Sequence, residues 1–208
     1  PHAYVRRQRQ MCIRDSDSAT CLAFLRKAGL ENEIKLNVEV NHATLSGHNF
    51  EHEIAYATSN SALGSIDINR GDTLIGWDTD QFPNNPADLI MSFYFIFKNG
   101  GLGQGGMNFD AKIRRQSIDA EDLFHAHIGG MDVCAKTLIA VEKLMNDNVI
   151  PKFIEDRYED WNKSLGQFIH NKDTGLDDIN KKVIDDNIEP EPRSGRQEYL
   201  ENILNKYL

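Results

Sequence analysis

Apolar positions recur at helical spacing through residues 18–29 (SATCLAFLRKAG), and the run stops at Gly29. Residues 35–40 (KLNVEV) alternate apolar and polar side chains, the two-residue period of a strand. Gly47 interrupts the pattern, and 48–62 then carries Phe50, Ile54 and Ala57 at helical spacing. A short strand is expected at 63–68 (LGSIDI), followed by a loop at 69–86 rich in Gly, Asp, Asn and Pro. Residues 87–98 are strongly apolar and end in Asn99-Gly100-Gly101, a helix stop. A third short strand is expected at 107–112 (MNFDAK), after a glycine cluster. Helices alternating with strands in this way imply parallel βαβ units.

The remainder reads differently. Residues 121–146 predict a long helix, broken or bent near Gly129-Gly130. Helical stretches follow at 151–170, 176–186 and 194–208, the last with Ser194 as its expected N-cap. This part is charged and only intermittently apolar, a pattern suited to packing on another surface. The chain shows no internal repeat and no low-complexity tract.

Composition narrows the classes. The 208 residues are 40% hydrophobic, enough for a core. No run of 18 apolar residues predicts a membrane span. The net charge of −9 argues against a nucleic-acid binder that works by bulk charge. Three cysteines (Cys12, Cys21, Cys134) are too few and too scattered for a disulfide scaffold or a cysteine zinc site, which fits a reducing cytoplasm. Residues 1–16 carry Arg6, Arg7, Arg9 and Arg14 against Asp15 alone, about +3, which leaves about −12 for the rest. They lack the apolar core of a secretory signal and read as a non-native or disordered leader.

The acids are placed with a pattern. Glu39 and Asp67 sit near the ends of the first two expected strands, with His42 three residues after Glu39. Asp110 sits near the end of the third, and Asp78 and Asp80 lie in the intervening loop. In a parallel sheet all strand C-termini face one side, so five carboxylates and one imidazole would converge. Such crowding calls for a neutralising cation. Oxygen ligands with a single His suit Mg²⁺ or Mn²⁺, with Co²⁺ tolerated, and six ligands suggest two ions. Taken singly, each has a plainer reading: the Asp-Thr-Asp as turn chemistry, Glu39 or Asp67 as an ion-pair partner or helix cap. HNFEH (48–52) matches the inverted zinc-protease pattern H-x-x-E-H, against which stands a role as helix-start histidines. His125 and His127 read as structural, and GGLGQGG (100–106) as a loop, since it lacks the Lys-Ser/Thr ending of a phosphate loop.

The segments VEVNHATLSGHNFEHE (38–53), LGSIDINRGD (63–72), GWDTDQFP (76–83), GGMNFDAKIRRQS (105–117) and DLFHAHIGGMD (122–132) together resemble the xylose isomerase family. WNKSLGQ (161–167) and SGRQEYLENILN (194–205) extend the resemblance from about Asp17 to the C-terminus. The resemblance implies an α/β fold, a partial (β/α)8 TIM barrel comprising the last three strands, with a C-terminal helical extension. It implies division into 17–120 as the barrel part and 121–208 as a helical tail for subunit contacts. It further implies a cytoplasmic homotetramer with two divalent metals, acting on a pentose or hexose. The reaction would be D-xylose to D-xylulose, or D-glucose to D-fructose, by ring opening and a metal-assisted hydride shift. Glu39 would bridge both metals, Asp67 and Asp110 would complete one site, and His42, Asp78 and Asp80 the other.

The chain also departs from the family. Such a barrel needs roughly 250 residues, and only three of its eight strands have counterparts. The family's catalytic His-Asp pair, a further Glu ligand and a substrate-side Lys have none. The chain is therefore expected to be the C-terminal part of an isomerase, inactive and marginally folded alone. Two other readings are a non-catalytic interaction module and another metal-dependent TIM-barrel sugar enzyme.

Overall fold

The computed structural model describes residues 17–72, 77–189 and 191–208. The expected leader, residues 1–16, lies outside the described residues. Two compact units divide the chain, one ending at Glu142 (with the terminal Leu208) and the other Lys143–Tyr207.

The first unit opens with helix α1 (Ser18–Ala28). Asp17 caps it by accepting from the Thr20 amide at 2.6 Å, and Gly29 ends it with a left-handed φ of 68°. Strand β1 (Leu36–Glu39) follows, then the short helix α2 (Val40–Leu45) and helix α3 (Phe50–Ser59). Asn49 caps α3 through the His52 amide. Strand β2 (Leu63–Asp67) comes next, then β3 (Arg70–Asp72) and β4 (Trp77–Gln81). A 3-10 turn at Pro86–Asp88 leads into helix α4 (Ile90–Lys98), which ends at Asn99 with Gly100 and Gly101 left-handed, as expected. Strand β5 (Met107–Asn108) and helix α5 (Ala120–Asn146), whose last turn belongs to the second unit, complete the series.

β1, β2 and β5 form a parallel sheet in the order β1-β2-β5, so the alternating pattern does yield parallel pairing. Its register aligns the acidic strand ends: Glu39 stands opposite Asp67, and Asp67 opposite Asn108. Beneath the sheet lies the core of Leu22, Ile54, Ile66, Ile68, Phe93 and Tyr94, each at most 2% exposed. α3 and α4 pack against each other, which the apolar pattern of both requires.

Three expectations are corrected. The 69–86 loop contains an antiparallel pair, β3 with β4, which puts Asp78 and Asp80 on a strand. Local residues there favour turns, and pairing overrides them. α5 runs unbroken through Gly129-Gly130. A side chain at 130 would meet the Phe109 ring at 2.9 Å, so that glycine allows close approach of the ring. The N-cap of the last helix is Arg196, with φ 48°, while the Ser194 hydroxyl accepts from its amide at 3.2 Å.

The second unit holds helices α6 (Val149–Tyr158), α7 (Ser164–His170), α8 (Leu176–Asp185) and α9 (Gln197–Asn205). Arg193, ahead of α9, pairs with the turn that follows α6, its Nη2 2.9 Å from Glu159 and its Nε 2.8 Å from Asp160. Leu176, Ile184 and Tyr199 are more than half exposed, so this unit leaves much of its apolar surface uncovered.

The glycine cluster has a packing role. A Cβ at Gly105 would lie 1.5 Å from the Gly64 carbonyl oxygen, whereas one at Gly106 would meet nothing within 4 Å. Gly105→Ala should therefore destabilise the chain by about 3 kcal/mol, the upper end of overpacking costs. Gly106→Ala should change stability by less than about 0.5 kcal/mol. Urea unfolding of the two variants tests this, and equal losses would contradict it.

Candidate metal centre

Strand register puts Glu39 opposite Asp67, and Asp110 follows two residues after β5, which is shorter than the expected 107–112 strand. Among the described residues, Glu39, Asp67 and Asp110 offer ligand atoms that all lie within 4.8 Å of one another. Glu39, His42 and Asp78 form a second such trio. Glu39 is common to both, so two three-residue sites share one buried carboxylate. Of the six residues singled out in the sequence, five enter these trios. Asp80 stands beside Asp78 and pairs with Lys112, Nζ 2.7 Å from Oδ2.

Each element contributes for a reason. β1 ends on Glu39, and α2 starts at the next residue, so His42 lies one turn on and its Nδ1 comes within 3.0 Å of Glu39 Oε2. His42 Nε2 faces Asp78 Oδ2 at 3.3 Å. Asp78 and Asp80 are two apart on β4 and so share a face. Asp80 and Asp110 have left-handed φ values of 43° and 41°. Such backbone is costly for non-glycine residues and clusters where function requires it.

A layer of asparagines holds the acids, and a reading confined to charged residues misses it. Asn69, 1% exposed, donates to Glu39 Oε1 at 2.6 Å and to the Asp110 carbonyl at 3.1 Å, and accepts from the Asn41 amide at 3.2 Å. Asn37 and Asn108 donate to Asp67 at 2.6 and 3.2 Å, and Asn41 donates to Asp78. The sequence does carry a signal: Asn37-Val-Glu39-Val-Asn41, Asp67-Ile-Asn69 and Asn108-Phe-Asp110 repeat an Asn two residues from each acid. On a strand that spacing means the same face.

The electrostatics show a site short of positive charge. Burial pushes Glu39 up to about 7, helped by Asp67 and Asp110 and opposed by Asn69 and His42. Burial and the neighbouring Asp80 raise Asp78. Burial also lifts Asp80, but hydrogen bonds from Asp78 and Lys112 outweigh it and hold that carboxyl below its usual range. Two buried polar atoms, Asn41 Oδ1 and His42 Nδ1, have no hydrogen-bond partner. The Nδ1–Glu39 contact is thus one of proximity without hydrogen-bond alignment. Unpartnered polar atoms beside crowded carboxylates are what a cation would satisfy, and the donor set suits hard divalent ions.

The chain is 53% identical to the xylose isomerase of Ruegeria sp. (strain TM1040) over 194 residues, 93% of its length and 44% of the relative's. The xylose isomerases of Histophilus somni (strain 2336), 54% identical, and Actinobacillus succinogenes (strain ATCC 55618 / DSM 22257 / CCUG 43843 / 130Z), 53% identical, match over the same shares. The chain is homologous to the C-terminal portion of xylose isomerases. It spans less than half the length of these curated relatives. The family described as the XylA2 C-terminal domain matches residues 154–208, the helical end of the chain. The xylose isomerase resemblance read from the motifs is thus supported over nearly the whole chain. Among the described residues no helix is long and apolar enough to cross a membrane.

The helical form of the inverted zinc-protease pattern is not present: His48 precedes the Asn49 cap of α3, so the two histidines do not sit one turn apart on a helix, and His48 Nδ1 pairs with Glu53 at 2.5 Å. GGLGQGG (100–106) is a loop, as expected.

The Glu39 shift has a sign that can be checked. Its folded pKa of about 7 lies above the ordinary 4.5, so the folded metal-free chain binds the extra proton. Stability then falls as pH rises from about 4.5 to 7 and stays reduced above that. Glu39→Gln should remove this loss and stabilise the metal-free chain at pH about 8. Thermal melts with chelator across this range test it; a wild-type chain that gains stability over the window through Glu39 would contradict it. Asn69→Ala should cost about 2–3 kcal/mol in urea unfolding, because several buried polar groups lose their partner.

Proposed function

We propose that the chain is the metal-binding C-terminal part of a xylose isomerase, an aldose–ketose isomerase interconverting D-xylose and D-xylulose, and D-glucose and D-fructose. The observation that carries this is the sharing of Glu39 by two ligand trios, in a chain about half identical to xylose isomerases. In this reading β1, β2 and β5 are the last three strands of a (β/α)8 barrel, with residues 17–120 as the barrel part. Residues 121–208 form the helical part that makes subunit contacts in a cytoplasmic homotetramer. The uncovered apolar positions Leu176, Ile184 and Tyr199 support that role.

The residues fit two divalent ions, Mg²⁺ or Mn²⁺/Co²⁺. Glu39, Asp67 and Asp110 would hold one; Glu39, His42, Asp78 and Asp80 the other. When bound, such ions polarise the sugar's oxygens and stabilise charge that develops as hydride moves between C1 and C2. The chain's own residues prepare this. Asn69 and Asn41 orient Glu39 and Asp78, as outer-layer partners do in metal sites. Lys112 holds Asp80 ionised, keeping it available as a ligand. Val38, Ile66 and Ile68, all buried, exclude water from below the cluster.

Ring opening and the further Glu ligand would come from barrel strands outside these 208 residues. The 208-residue chain should therefore show no xylose-to-xylulose conversion, and coupled-assay turnover above background would contradict the proposal. In an isomerase that carries this segment complete, Asp78→Asn and Asp80→Asn should each lower turnover by on the order of 100-fold or more. Undiminished activity in both would rule out their role as ligands.

A further inference from the structure

The metal centre does not absorb one cluster that could also hold a cation. His48, His52 and Glu53 offer three ligand atoms within 4.8 Å of one another. The two imidazole rings stand edge to face, with centroids 5.3 Å apart. Glu53 is only 3% exposed, and its Oε2 accepts from the Ser18 amide, the first of α1, at 2.6 Å. That bond fixes the carboxylate and leaves Oε1 facing His48 Nδ1 at 2.5 Å. His52 lies in the first turn of α3 and is exposed, so an ion can reach the cluster from solvent.

We propose that His48, His52 and Glu53 form a further cation site, separate from the two that share Glu39 and selective for a borderline-soft divalent ion of the Zn²⁺ class. Its donor set differs in kind from the cluster around Glu39. Two imidazoles and one carboxylate are the ligands of known His₂Glu zinc sites, whereas the Glu39 cluster is all oxygen but for His42. Metal–ligand bonds of about 2.0–2.1 Å let two ligand atoms stand at most about 4 Å apart. To ligate one ion, the exposed His52 ring would turn inward, and the His48–Glu53 pair would part from its 2.5 Å hydrogen-bond separation to roughly 3.3 Å. His48 coordinates through Nδ1, releasing to solvent any proton it carries there. The Ser18 amide plays the orienting part that outer hydrogen bonds play at metal sites. Bound metal would pin the start of α3 to the start of α1 and to the loop after α2.

The test is calorimetric titration with Zn²⁺ in excess Mg²⁺ of the 208-residue chain and of Asp78→Asn, which removes a ligand of the Glu39 cluster and so separates that cluster's Zn²⁺ from the proposed site's. The expected result is one Zn²⁺ equivalent that survives Mg²⁺. His52→Gln, an exposed substitution that leaves the circular dichroism spectrum intact, should weaken it at least tenfold. Asp78→Asn should leave it unchanged. Zn²⁺ should also raise the melting temperature of the wild-type chain but not of His52→Gln. Absence of a Mg²⁺-resistant equivalent, undiminished binding by His52→Gln, or its loss in Asp78→Asn would each overturn the proposal.

Discussion

The structure turns on a buried carboxylate. Glu39 is 6% exposed, close to two more acids and a histidine, and lies at the end of a strand that the fold cannot move. Burying charge without compensation costs several kcal/mol, so the groups around Glu39 are tightly constrained. Asn69 supplies a neutral donor and His42 a facing imidazole, while burial and the neighbouring Asp67 and Asp110 push the carboxyl up. In the proposed function a pair of divalent ions sharing Glu39 would neutralise the cluster, and the asparagine layer would then aim the ligands.

The fold serves that arrangement. Parallel pairing puts Glu39 opposite Asp67 and Asp67 opposite Asn108, with no residue to spare. A one-residue slip would turn each acid to the other face of the sheet. The backbone contact of Gly64 with Gly105 sets how closely β2 approaches the segment leading into β5. The same logic extends to the β3–β4 pair, which carries Asp78 to within 3.3 Å of His42 from a separate two-stranded sheet.

Much of this is legible from residues alone. Period-two alternation at 35–40 locates β1 and the short run at 63–68 locates β2, and the parallel rule then makes Glu39, Asp67 and Asp110 neighbours. The hairpin is not legible, because its strands are short and made of turn-forming residues, and only tertiary pairing reveals them. The continuity of α5 is also hidden: Gly129-Gly130 reads as a break locally, but position 130 answers to the Phe109 ring. The asparagine layer can be found from its two-residue offset to each acid, once amides are weighed alongside charges. The capping of α9 by left-handed Arg196 has no sequence signal, since residues with side chains rarely adopt that backbone.

Glu39 is held to belong to two cation sites at once. Anomalous diffraction from crystals of the chain soaked in excess Mn²⁺ tests this most directly. Two peaks are expected, each within about 2.0–2.6 Å of a Glu39 oxygen, one also near Asp67 and Asp110, the other near His42 and Asp78. Manganese bound elsewhere on the chain, with no peak at Glu39, would contradict it.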